Sequence, residues 1–578
     1  MLARHGPLLA RAALLAVLAT TPAAAQQSIV PGLEPPRDNA PELRDPEFAP
    51  PRGPRFELPP LPPAQPGGLA SGRTVFVRDV VVTGNTALPP GRLDEIARPY
   101  EGREVALEEL FRLKDELTLA YVNAGYVNSG AVLPDQEVSG GIVRLEVVEG
   151  RLETVEITGT RALDARFLER RVRLGAGRPL DIVALQERLQ LLLLDPSIER
   201  LDARLLPGSA PGQARLEVAV EEAPRRLSVD LGAANDQSPS IGGTRGELAV
   251  TWRNLLGRGD PLRLTLRGSE GLREVGFGYA FPLTARDLRV RIEGEASEAD
   301  IVDDEVEDLD IESSSRSLTL GLSTPVYETV ANRVGLDLAL VRERNRTSLL
   351  DEPFAFSPGT DEGRTDLTLL RLTQDWLHRG RSRAVSAAST FTVGLDALGA
   401  TAGGEPDGQF LAWLAQAELV QRLFSDTDAL ALRGTLQLTA DPLLASEQFA
   451  VGGLGSVRGY RINELVRDNG WALSAEYRLP VLPWLLRRLV PDPAARPEGA
   501  TLELVPFVDA GGAWNHDGAD LEDDDADTLL SVGLGLRGAF RRLSAELYWG
   551  LPLTDRDGSS EDPLQDAGVG FRVGLRLY

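Results

Sequence analysis

From about residue 224 to the end of the chain, apolar and polar positions alternate singly, segment after segment. Leu262, Leu264 and Leu266 alternate with Arg263, Thr265 and Arg267, and Leu288, Val290 and Ile292 with Arg289, Arg291 and Glu293. Val334, Leu336, Leu338 and Leu340 form another such run, and Trp471, Leu473, Ala475, Tyr477 and Leu479 share one face of a later one. A period of two marks a strand with two unlike faces. No helical pattern in this region supplies a second layer for the apolar faces. A closed cylinder with hydrocarbon outside and a polar lumen satisfies both faces, and closure pairs every backbone group. The pattern predicts a transmembrane antiparallel β-barrel of about sixteen strands. Their expected starts are near Arg226, Thr244, Asp260, Glu274, Asp287, Arg316, Arg333, Thr365, Val385, Gln409, Asp428, Gly470, Thr501, Leu529, Leu543 and Gly568. Even-numbered strands should end in short turns, such as Arg541-Arg542, and odd-numbered ones in longer loops, such as 441–469. Residues 480–500 are long for a short-turn position, and the link after strand three is short for a loop.

The preceding 150 residues follow a different rhythm. Val82-Thr83-Gly84-Asn85-Thr86-Ala87-Leu88 returns as Ile157-Thr158-Gly159-Thr160-Arg161-Ala162-Leu163, about 75 residues later. Gly102-Arg103 returns as Gly177-Arg178, and Arg144-Leu145-Glu146-Val147 as Arg215-Leu216-Glu217-Val218. Two copies of one small α/β unit account for this, at 74–150 and 151–223. Each opens with a β-branched run and closes on alternating strands, Ile142 to Val148 and Leu216 to Val220. Between them, Leu110, Leu113, Leu117, Ala120 and Tyr121 fall on one helical face. Asp181 is the expected N-cap of a second-copy helix, stopped at Asp195-Pro196.

Upstream, Arg4, His5 and Arg11 precede an apolar run, Ala12 to Thr20, and a small-residue site at Ala23-Ala24-Ala25. Residues 1–25 read as a signal peptide cleaved near Ala25. Residues 26–73 hold thirteen prolines between Pro31 and Pro66. That density excludes a helix and predicts an extended, solvated linker.

Strand, two helices and two strands at this length resemble a POTRA domain. The first copy also carries Gly125-Tyr126-Val127, Leu133-Pro134-Asp135-Gln136, Gly141 and Val147-Val148-Glu149-Gly150. That pattern resembles the POTRA of the two-partner secretion transporters, the hemolysin secretion/activation proteins. A second resemblance lies in the longest barrel loop, at Val457, Arg458, Gly459 and Tyr460. It is similar to the Val-Arg-Gly-Tyr tip of the inward-folded loop in POTRA-barrel transporters, which pair it with Phe-x-Asp-x-Gly on a following strand. Here Phe507, Asp509 and Gly511 supply that pattern. Alternation puts these three on the lumen face, opposite Leu502, Leu504, Val508 and Ala510, where Arg458 can reach Asp509.

The resemblance implies an outer-membrane transporter in a Gram-negative-type cell, with its POTRA domains in the periplasm. It implies that a large partner polypeptide, of haemolysin or adhesin type, binds unfolded at the POTRA domains, crosses the barrel and is secreted or activated without ATP. It also implies partners in the outer-membrane bilayer and, during biogenesis, in the barrel assembly machinery. The latter reads a terminal aromatic such as Tyr578, here out of phase with the apolar face of Val569 to Leu577. Many members carry an N-terminal helix that threads the pore, for which residues 31–66 leave no room. Two rival readings are an insertase for other barrel proteins and a passive porin or adhesin.

Composition narrows the chemistry. The net charge of −25 argues against nucleic acid as a partner, since phosphate binding needs a basic face. With no cysteine, disulfides and cysteine-ligated metals are excluded. The three histidines, His5, His378 and His516, assemble neither a triad nor a metal cluster. The single lysine, Lys114, follows Arg112-Leu113 and not a glycine loop, so there is no phosphate-binding loop. No cofactor and no enzyme activity are expected. The acidic run from Asp520 to Asp527 lacks the glycine and ligand spacing of an EF-hand and reads as a solvated outer loop.

Overall fold

In the computed structural model the described residues are Leu43, Pro46, Phe48, 53–58, 74–303, 307–404, 406–482, Trp484, 499–516, 527–554 and 563–578. The signal segment to Ala25, most of the proline-rich stretch and the acidic residues 520–525 lie outside them.

Sixteen antiparallel strands close into one barrel. In order they are Leu227–Ala234, Arg245–Trp252, Leu262–Gly268, Leu272–Pro282, Arg289–Asp300, Ile311–Glu328, Asn332–Leu349, Arg364–Arg379, Arg383–Gly394, Leu411–Arg422, Ala429–Thr439, Asn469–Pro480, Ala500–Trp514, Asp527–Phe540, Leu543–Pro552 and Val569–Arg576. A two-residue piece, Glu352–Pro353, pairs with the end of strand seven. Strands one and sixteen zip together from Asp230 with Arg576 to Ala234 with Arg572, so the sheet has no free edge. Observed starts differ from the expected ones by five residues at most, at strand six. The two faces behave as the alternation requires. Leu336, Leu338 and Leu340 are exposed on the outer wall, while Glu343, Asn345 and Thr347 of the same strand are buried on the inner one. Strand six carries a register shift between Pro325 and Tyr327, where proline offers no N–H to the ladder.

The first α/β unit has a three-stranded sheet. Asp79–Thr83 runs parallel to Ile142–Val148, which pairs on its other side with Gly130–Val132. Helices Pro90–Ala97 and Leu107–Asn123 cover it, the second burying Leu110, Leu113, Leu117 and Tyr121. The β-branched run Val75 to Val82 is split. Thr74–Val77 pairs instead with Arg103–Ala106, and the Arg78 amide donates to the Gly141 carbonyl at 2.7 Å at the break. The second unit pairs Arg151–Thr158 and Ile198–Pro207 with the two sides of Gln213–Glu222. Its helices are Ala165–Arg173 and Ile182–Leu192, and Asp181 caps the latter by accepting from the Val183 and Ala184 amides.

The repeat has a physical meaning at two positions. Gly84 and Gly159 both adopt positive φ, and a Cβ on either would sit 2.3 Å from a backbone carbonyl, of Val147 or Val220. Just after each glycine a carboxylate gathers the turn. Glu149 accepts from the Thr86 and Ala87 amides, and Glu222 from those of Arg161, Ala162 and Leu163.

The proline-rich stretch is not solvated throughout. Arg55–Glu57 adds to the second unit as a fourth strand, parallel to Asp202–Arg204, with Phe56 packed on that unit's core. Phe48 lies under the Arg422 guanidinium, 3.9 Å away, and against Val420, Ala429 and Ala431 of the barrel. A strand needs only a free edge and three amides in the right phase, and Phe56 has apolar surface to bury; neither requires a propitious composition around it.

The second unit docks on the short-turn end of the barrel. The Asp164 amide donates to the Gly257 carbonyl at 2.7 Å, and Arg171 reaches Asp287 at 3.2 Å. Arg188 donates to the Ala285 carbonyl at 3.2 Å. These contacts fall in the turns after strands two and four.

Burial pushes the Glu149 carboxyl up, but donors on Thr86, Ala87 and Tyr121 outweigh it and hold it below its ordinary value of 4.5. Its stabilisation is therefore complete above that value and is lost as pH falls through the lowered folded value. Glu149→Gln should speed hydrogen exchange at Thr86 and Ala87 at neutral pH, at a loss of about 1–3 kcal/mol. Wild-type protein should approach the variant's exchange as the pH drops below 4.5. Unchanged exchange in the variant would contradict the role given to Glu149.

Candidate functional site: a loop clamped inside the barrel

Residues 440–468, between strands eleven and twelve, fold back into the lumen. A short hairpin, Phe449–Val451 with Leu465–Arg467, frames the turn that carries Val457 to Tyr460. The clamp is a bidentate ion pair. Arg458 Nε meets Asp509 Oδ2 at 2.7 Å and its Nη2 meets Oδ1 at 2.8 Å, while the Arg458 amide also donates to Oδ2 at 3.1 Å. Asp509 is completely buried. The remaining guanidinium nitrogen reaches Glu476 Oε1 at 2.6 Å, and Nη2 also reaches Ser474 at 3.0 Å. The guanidinium plane lies 3.7 Å from the Phe507 ring centroid. Two carboxylates, a hydroxyl and an aromatic face thus saturate one cation.

Each expected residue has a definite place here. Val457 is fully buried in a small apolar cluster with Phe449, Val451 and Tyr460. The Tyr460 hydroxyl donates to the Leu530 carbonyl at 2.9 Å and accepts from the Thr554 amide at 3.1 Å, tying the tip to strand fourteen and to the segment just after strand fifteen. Gly459 is needed for contact. It has φ +95°, and a Cβ would lie 2.9 Å from the Gly550 backbone. Gly511 faces the loop as well, since a Cβ there would meet Val451 at 2.6 Å and Val457 at 2.9 Å.

Alternation did not reveal every partner. Ser474 and Glu476 stand opposite Asp509 and Phe507 in register. Their signal was available, because they occupy the polar face of the strand that carries Leu473 and Ala475. Gly533 and Gly550 leave room for the Phe507 ring and the loop backbone. Their role depends on cross-strand neighbours and has no local signature.

The POTRA-type residues do other work. Gln136 makes two backbone hydrogen bonds to Arg144, at 2.7 and 2.8 Å, and also contacts the Pro134 carbonyl. Gly125 and Gly150 form the junction between the two units. The Gly125 carbonyl accepts from the Ile182 amide at 3.1 Å and that of Gly150 from the Leu180 amide at 2.7 Å. Tyr126 packs edge-on against Tyr121. Gly141 takes positive φ at the break after Val77. These residues hold the units' shape and mutual placement and do not converge on one pocket.

Comparison with known proteins places the chain. Residues 212–538 match the haemolysin secretion/activation protein family ShlB/FhaC/HecB, more than half the sequence. The chain belongs to this family. Residues 75–150 match the ShlB-type POTRA domain. The outer membrane transporter CdiB of Dickeya dadantii is 23% identical over 533 residues, covering 89% of this chain and 88% of its own. The heme/hemopexin transporter protein HuxB of Haemophilus influenzae is 23% identical over 432 residues, covering 69% of this chain and 71% of its own. Among solved structures, CdiB from Escherichia coli superposes with a TM-score of 0.65 at 22% identity, over 89% of this chain and 92% of that one. BamA from Haemophilus ducreyi shares the fold, with a TM-score of 0.53 at 16% identity over 87% of this chain and all of that one. The family and the curated relatives make this chain an outer-membrane transporter of the two-partner secretion type, and favour that reading over an insertase.

Asp509→Ala leaves Arg458 with Glu476 as its one remaining carboxylate among the described residues. Deleting one partner of a buried pair typically costs about 3–5 kcal/mol, and the surviving partner puts this case near the lower end. The seated loop should then open to protease between residues 440 and 468, while the barrel stays folded by its heat-dependent gel mobility. A loop as protected as in wild type would contradict the clamp.

Proposed function

We propose that the protein secretes a large partner polypeptide through its barrel, with the loop around Arg458 as the element that closes or shapes the route. The observation that carries this reading is the Arg458–Asp509 ion pair, which holds a long loop inside a lumen that would otherwise be open. The turns after strands two and four meet the second POTRA domain, which fits a periplasmic position for both POTRA domains and for that mouth of the barrel. The expected signal peptide, cut near Ala25, delivers the chain to that compartment. The bilayer covers the outer leucines, and assembly machinery inserts the barrel.

Entry follows from sheet edges. An extended chain adds to an edge through backbone hydrogen bonds, largely regardless of its sequence. The edge strand Ile198–Pro207 already accepts such a chain, because Arg55–Glu57 covers three of its ten residues. The partner is taken up unfolded at that edge, passes the lumen and folds outside. Folding on the far side biases motion outward without nucleotide chemistry.

Three experiments check this reading. Deleting the gene should remove a single large protein from the medium, and Arg458→Ala should lower its export several-fold while barrel abundance stays near normal. Equal loss of both would reduce Arg458 to a stability role. The chain has no cysteine, so a pair at Phe56 and Ala203 can tether the added strand to the edge. Oxidation should block export and reduction restore it. Export indifferent to the tether would remove that edge from the pathway.

A further inference from the structure

Five arginines crowd one spot on the outer wall. Arg316 lies on strand six, Arg342, Arg344 and Arg346 on strand seven, and Arg364 on strand eight. Parity sets their direction. They share it with Leu318, Leu320, Leu338 and Leu340, all exposed on the wall, whereas Glu343 and Asn345 between them, and Thr347 just beyond, are buried on the lumen side. Along strands six and seven the arginines follow directly on these leucines. They do so on the half of the barrel away from the turns that touch the second POTRA domain.

Strand pairing makes the charge acute. Arg316 stands directly opposite Arg344, and Arg346 directly opposite Arg364. Like charges so placed destabilise a sheet. Among the described residues a single carboxylate answers them. Asp366 contacts Arg342 and Arg344 at 2.9 Å each and Arg364 at 2.5 Å. Among the described residues Arg316 and Arg346 make no ion pair. Glu298, Asp300 and Glu312 lie on neighbouring positions of this face, farther from the leucines along strands five and six. Nothing in the transport mechanism uses this surface, which faces away from the lumen.

We infer that these arginines bind the phosphorylated headgroup of a lipid in the outer leaflet, with its acyl chains on Leu318, Leu320, Leu338 and Leu340. Guanidinium forks match phosphate oxygens, and unpaired forks above a leucine strip match an amphiphile with anionic head and apolar tail. A free phosphate would meet only the upper half of that surface. The inference rests on the orientation proposed above, which puts this half of the barrel outside.

The test uses the full-length protein in detergent and diphosphoryl lipid A as probe. Binding is read by native mass spectrometry and by the rise in melting temperature. Arg316→Gln, Arg344→Gln and Arg346→Gln together should weaken binding on the order of a hundredfold, from about fivefold per arginine at an anionic surface. The corresponding lysine variants should retain most of it. Lipid A stripped of its phosphates should bind as weakly to wild type as intact lipid A does to the glutamine variant. Equal binding by the glutamine variant, or an equal melting shift from inorganic phosphate alone, would overturn the inference. Asp351→Cys, labelled on intact cells by an impermeant maleimide, checks orientation separately. Absence of labelling would sink the orientation, whereas labelling with unchanged lipid binding would sink the lipid site alone.

Discussion

Closure of the sheet is the constraint on which the rest of the molecule depends. Strand one meets strand sixteen across Asp230 to Ala234, and only then is the wall left without a free edge of unpaired backbone groups. Once the wall is closed, its two faces live in different solvents, and the alternation of leucine with charged or small residues becomes obligatory. Lumen-facing arginines and carboxylates pair across strands, as Arg291 does with Asp337 and Arg333 with Asp375. The interior is therefore a polar surface on which a loop can be seated by charge.

The Arg458 clamp is the specific use made of that interior. A fork of five N–H donors on a planar cation suits two carboxylates and a hydroxyl on adjacent strands better than a lysine would. Glycines at 459, 511 and 550 remove the side chains that would hold the loop off the wall, and Gly533 makes room for the Phe507 ring beneath it. Charge gives the loop its address, and the missing Cβ atoms let it reach it. Because Glu476 and Asp509 sit on neighbouring strands, loosening the loop requires breaking contacts with two wall strands together.

Much of this was legible in the chain itself, and the reasons are local. Strands with one face in lipid and one in water must alternate, so each start was readable to within a few residues. The helix capped by Asp181 announced itself through its own side chain. The repeat was legible because Gly84 and Gly159 serve the same positive-φ turn. Arg458 and Asp509 were readable through a resemblance, and lumen parity came from alternation. What stayed hidden was non-local. Arg55–Glu57 is three residues long among prolines, and only the exposed edge of a strand 147 positions later makes it a strand. The break at Arg78 depends on Gly141, and the place of Gly550 on a loop some ninety residues upstream.

A wall with lipid on one side and a polar lumen on the other can be measured residue by residue. Single cysteines placed in turn from Val334 to Val341 in this cysteine-free chain can carry a fluorophore after reconstitution into brominated lipid. Quenching should alternate strictly, strong at Val334, Leu336, Leu338 and Leu340 and weak at Gly335, Asp337, Ala339 and Val341. Quenching that is uniform, or that rises every third or fourth residue, would contradict the account.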